Sequence, residues 1–163
     1  MIRHFARQLA VQTLYQMEVG QLGLQETIEN ITEMLKSMRE EAITLAADDL
    51  AFSELGYLEE QFEIDEFYLA LVNGTVQKLD ALDAFIEKNI SGWSLNRLNK
   101  VDKAILRLAA YELSSGSSVA PQVIINEALE LTKSFSNADG KATAFNNKVL
   151  DQMKNSLENG QEV

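Results

Sequence analysis

The sequence predicts an all-α protein, and three observations carry that reading. Apolar residues recur at helical spacing along nearly the whole chain, alternation of β-branched residues is scarce, and proline occurs once, at Pro121. The 163 residues suffice for one domain with a sizeable core. At 46% hydrophobic and 24% charged residues, the composition excludes general disorder.

The first helix is expected from about Ile2 to Val19, ending at Gly20. Residues 100° apart place Ile2, Ala6, Leu9, Ala10, Thr13 and Met17 on a core stripe, and gather Arg3, His4, Arg7, Val11 and Tyr15 on the other side. Residues 26–38 form a second amphipathic helix through Ile28, Ile31, Met34, Leu35 and Met38; from there to about Glu63 the chain is acidic and weakly periodic, predicting irregular or short helical structure. The helical pattern returns at Ile64 through Phe67, Leu71, Gly74, Leu79, Leu82, Phe85 and Ile86, and fades near Ser91 and Gly92. After Trp93, a helix with Leu98, Val101, Ile105, Leu108 and Ala109 facing inward stops before Gly116. Pro121 suits the first turn of the next helix, where its missing N–H is not needed. The polar loop SNADGKAT separates it from a last helix, AFNNKVLDQMKNSL.

The net charge of −11 argues against a nucleic-acid ligand only until its distribution is read. Residues 26–66 hold 13 acids against Lys36 and Arg39, whereas residues 1–25 carry +1 and residues 67–163 carry −1. The acidic excess is confined to one segment, and a basic patch elsewhere is compatible with it. Two Arg, one His and one Tyr on the first helix suit phosphate contact with base stacking. A second row, Arg97, Lys100, Lys103 and Arg107, recurs every three or four residues, and Lys141, Lys148 and Lys154 surround Phe145 near the end.

With no cysteine and a single histidine, disulfides, thiolate catalysis and His/Cys metal clusters are excluded, and no phosphate-binding glycine loop or nucleophile elbow is present. The carboxylate pairs Glu40/Glu41, Asp48/Asp49 and Glu59/Glu60 fit a solvated acidic surface better than catalysis. A binding protein without cofactor or metal is expected. No apolar run approaches the ~18 residues of a membrane span, and Arg3, His4, Arg7 and Gln8 interrupt any signal-peptide core, so a soluble, cytoplasmic protein is expected.

Five ordered blocks add a resemblance. R-x-x-A-R-x-x-A-x-Q-x-L-Y-Q at the start, LVNGTVQKLDALDAFIEKNISGW, RLNKVDKAILRLAAYEL, PQVIINEALELTKSF and FNNKVLD resemble the NusB family of bacterial transcription antitermination factors, over roughly residues 3–19 and 64–154. The resemblance implies one domain of two perpendicular helical bundles, about seven helices in all, with subdomains of about 1–90 and 91–157. It further implies binding of boxA RNA together with NusE, a small-subunit ribosomal protein, within an RNA polymerase antitermination complex that supports rRNA synthesis.

By the same resemblance, Arg3 and Arg7, with His4 between them, and Phe145 face RNA, while Tyr15 and Asp102 face the protein partner; Lys141 and Lys148, read from the charge pattern beside Phe145, are expected on the RNA side as well. The chain departs from the family pattern at Phe5, where another Arg is frequent, and at Asn146 and Lys148, which replace an aliphatic and a small residue. For the free protein, monomer and homodimer both fit the sequence. An alternative reading is a helical interaction module that keeps the NusE-type partner and has lost specific RNA recognition. The NusB-like domain of an rRNA methyltransferase would need a long C-terminal Rossmann-like domain, and the chain ends at Val163.

Overall fold

A computed structural model describes residues 1–46, 52–135 and 140–163. Its elements are α1 (Arg3–Gly20), α2 (Leu24–Ala46), α3 (Phe52–Gln61), α4 (Glu66–Gln77), α5 (Leu79–Asn89), a 3-10 turn (Leu95–Arg97), α6 (Lys100–Ser114), α7 (Pro121–Phe135) and α8 (Lys141–Glu158). No strand occurs among the described residues, as an all-α sequence requires. No helix among them is long and apolar enough to cross a membrane. The expected pair Asp48/Asp49 and part of the SNADGKAT loop lie outside the described residues.

The helix boundaries follow local chemistry. Helix α1 ends at Gly20, as its pattern predicts, but the left-handed residue that caps it is Gln21 (φ 53°), not the glycine. Gly20 serves close packing instead, since a Cβ there would meet Leu22 Cγ at 2.9 Å. Helix α2 runs past Met38 to Ala46, and α3 follows, where the sequence predicted irregular or short helical structure. The stretch REEAITLA contains neither Gly nor Pro, so helix propensity carries α2 on although its apolar period is weak. The pattern beginning at Ile64 is divided at Lys78, whose backbone (φ −107°, ψ 14°) leaves the helical region. Pro121 occupies the first position of α7, as expected.

The chain divides into two compact units, Met1–Ala70 and Leu71–Val163. In the first, α1 packs on α2 and α2 on α3. Its core includes Ala6, Leu9, Ala10, Leu14, Ile31, Leu35 and Tyr68. Full burial of a Leu or Ile contributes about 1.5–3 kcal/mol each. Thr13 donates to Leu9 O at 2.7 Å, so the proton in its 2.8 Å bond with Tyr68 comes from the tyrosine.

Burial raises the Tyr68 pKa above its usual 10.0; Thr13 opposes the shift only by turning its hydroxyl from Leu9 O to donate to the phenolate. The folded state therefore holds this proton more tightly than the unfolded state. Its contribution to stability is complete below pH 10.0 and is lost as the pH rises beyond it. Alkaline unfolding should accordingly be shallower in Tyr68→Phe than in the wild type above that pH, measured by urea denaturation across a pH series.

In the second unit α6 is central, packing against α5, α7 and α8, and every residue from Asp102 to Ala110 is buried. Helix α5 is tied to α8 by Ser156, which donates to Asn89 Oδ1 at 2.7 Å while Asn89 Nδ2 donates to Phe85 O at 2.8 Å.

Candidate nucleic-acid and partner interface

In the first unit, Phe67 organises the cations of α1. The Arg3 guanidinium lies 4.9 Å and the Arg7 guanidinium 5.2 Å from its ring centroid, both within cation–π range. The ring's π-electrons attract both guanidiniums, which offsets part of the repulsion between the two like charges. Arg3 is exposed and His4 half-buried, whereas Arg7 is only 4% exposed.

Helix α1 thus buries a wider arc than its apolar stripe predicts, taking in Arg7, Val11 and Leu14. Tyr15, one turn beyond Val11, remains 37% exposed. Phe5 projects to the opposite side of α1 from Arg3 and meets Phe62 edge-on at 6.3 Å between centroids.

In the second unit, the start of α6 carries a buried polar network. Asn99 caps the helix, accepting from the Asp102 N–H at 2.8 Å, and its side-chain amide donates back to Asp102 Oδ2. Asp102 Oδ1 accepts from Asn146 Nδ2 at 3.0 Å, and the same nitrogen donates to Thr132 Oγ1 at 3.0 Å. One carboxylate therefore joins α6 to α8, and Asn146 joins both to α7. Asp102 is 8% exposed, with both oxygens engaged.

The basic row on α6 is not a cationic surface stripe. Lys103 and Arg107 are buried, and Arg107 forms a fork with Asp83, its Nε and Nη2 each 2.7 Å from a carboxylate oxygen. On α8, by contrast, Lys141 and Lys148 are exposed and Phe145 is half-buried. Their spacing of four and three residues puts all three on one helical face. Asn146, next to Phe145, turns into the core. No acidic residue occupies the first turn of α8, so its N-terminal dipole and Lys141 act with the same sign.

The family model described as NusB family matches residues 4–155. The chain belongs to the NusB family. The transcription antitermination protein NusB of Bacillus subtilis (strain 168) is 35% identical over 158 residues, spanning 97% of this chain and 98% of that protein. Among solved structures, the solution structure of NusB from Aquifex aeolicus is 27% identical with a TM-score of 0.63, over 99% of this chain and 93% of that one. A crystal structure of the antitermination factors NusB and NusE in complex with dsRNA has a TM-score of 0.65 at 24% identity, covering 96% and 99%.

Within this NusB-family chain, two residues carry site geometry that their sequence context concealed. Phe67 reads as one more apolar residue in the helical pattern, yet it seats both arginines. Asn146, which the resemblance marked as a departure, binds Asp102 and Thr132.

Proposed function

We propose that this NusB-family protein is an RNA-binding transcription antitermination factor that recognises boxA-type RNA together with NusE and supports rRNA transcription. It works in the cytoplasm by non-covalent binding, with no catalytic step. Arg3 and His4 on α1, backed by the buried Arg7, and Lys141, Phe145 and Lys148 on α8, contact the RNA. The partner docks through Tyr15 and through the α6 start that Asp102 holds in shape.

The observation that carries this reading is the placement of Arg3 and Arg7 over one aromatic ring in a chain of this family. Arg7 is buried against that ring, and the exposed Arg3 guanidinium, held at a fixed position on it, forms a charge-assisted bond to a phosphate with less ordering cost than a free side chain. The shared face of Lys141, Phe145 and Lys148 supplies a ring for stacking between two cations. Relatives named transcription antitermination protein NusB support the process, and the structural likeness to NusB bound to NusE and dsRNA supports the ligands. The partner adds surface to a chain of net charge −11, and its own positive charge would offset repulsion of RNA.

The test is a titration of boxA-type single-stranded RNA with and without NusE. Binding by the pair that is clearly tighter than to a scrambled RNA of equal length is expected. Equal affinity for both RNAs in the presence of NusE would overturn the proposal.

A further inference from the structure

Two sequence features remain outside this function: Phe5, which stands where the family often has an arginine, and the acidic segment 26–66. They meet at one place in the first unit. A cavity of about 330 Å³ is lined by Ile2, Phe5, Met38, Gln61 and Phe62, and its exposed wall is wholly apolar.

The apolar surface continues beyond the cavity. Leu45 lies seven residues after Met38, two turns on along the same face of α2, and is 76% exposed; Tyr57 lies one turn before Gln61 on α3 and is 62% exposed. The side-chain oxygen of Gln61 is buried and has no partner among the described residues, so it can accept from an N–H donor after a rotation of the amide.

Charge decides what fits this surface. Glu41, one turn after Met38, Glu60 on α3 and Glu63 in the turn after it are exposed beside this surface. The two basic residues of the segment are already engaged within it, Lys36 with Glu33 at 2.6 Å and Arg39 with Glu59 at 3.4 Å. The groove is therefore apolar along its floor and negative along its margins. RNA is repelled by such a surface, and so is a second copy presenting the same acids.

We propose that the α2–α3 groove, with Phe5 and Ile2 as its end wall, docks a basic amphipathic helix of a protein partner. Leucine-like anchors occupy the cavity and cover Leu45 and Tyr57, while lysines or arginines pair with the flanking glutamates. Polarisable Met38 adapts to the shape of the anchor. On this account Phe5 is the residue that makes the wall, through its edge-on contact with Phe62.

The probe is an 18-residue helix-forming peptide of leucine and lysine with the leucines on one face, compared with a scrambled peptide of the same composition. Fluorescence anisotropy on the full chain should give at least tenfold tighter binding of the amphipathic peptide. Leu45→Ser combined with Tyr57→Ser, both at exposed positions, should weaken it at least tenfold, and the Met38 methyl resonance should shift on binding in the wild type. Equal binding of the two peptides would overturn the proposal. So would undiminished binding by the double variant, an unmoved Met38 methyl, or self-association of the wild type that the double variant abolishes. RNA binding measured in parallel on the double variant separates this outcome from failure of the antitermination reading.

Discussion

Asn146→Asp is expected to destabilise the second unit by about 3 kcal/mol at pH 7, more than any neutral substitution at the same position. Both hydrogens of the Asn146 amide are used, one toward Asp102 and one toward Thr132, each at 3.0 Å. A carboxylate of nearly identical shape turns a donor into an acceptor facing Asp102 Oδ1, in a position fully closed to solvent. Thr132 gives no relief, because its hydroxyl already donates to Ala128 O at 2.9 Å. Asn146→Leu adds no charge but leaves the buried Asp102 Oδ1 without its donor, and should cost about 2 kcal/mol. Lowering the pH protonates the new carboxyl and restores a donor, so the gap between the two variants should narrow. Urea unfolding at pH 7 and pH 4 checks both statements; equal losses in the two variants, unaffected by pH, would show that Asn146 does not bind Asp102.

Gly74→Ala is expected to cost about 1–3 kcal/mol through overpacking. The sign is the informative part, because alanine inside a helix is ordinarily favoured over glycine by roughly 0.5–1 kcal/mol. Gly74 lies within α4, and a Cβ there would stand 2.1 Å from Cζ and Oη of Tyr111 on α6. A rigid ring cannot yield that much without leaving its packed position. Tyr111→Ala should make the alanine at position 74 tolerable, and a double-mutant cycle should return a favourable coupling. A stabilising Gly74→Ala in the wild-type background would mean that the two helices do not approach this closely.

The helices themselves were legible because their apolar residues repeat at a period that only a helix satisfies. Pro121, the segment before Gly116 and the run from Phe67 to Ile86 all lie where the pattern places helix. The extension of α2 was hidden by an acidic composition with little apolar period, which left α3 as one of two alternatives, irregular or short helical, and the break at Lys78 has no Gly or Pro to announce it. At the candidate site, the cationic side chains could be named from the sequence, but their settings could not. Arg7 is buried because of Phe67, sixty residues away, and Lys103 and Arg107 are buried because α6 is surrounded by three helices. Periodicity reports one helix face; it carries no information about a helix packed on all sides. The resemblance pointed to Asp102, whereas the geometry that closes both its oxygens depends on Asn146, 44 residues further on.

Contact between the exposed Arg3 guanidinium, held on Phe67, and an RNA phosphate is what the proposed function requires first. Its most direct test is the salt dependence of boxA RNA affinity, measured with NusE present for the wild type and for Arg3→Ala, whose exposed side chain can be removed without opening the core. Loss of one phosphate contact on a single strand should reduce the magnitude of the log–log slope by about 0.7 and weaken binding at every salt concentration. An unchanged slope and affinity in Arg3→Ala would contradict the claim.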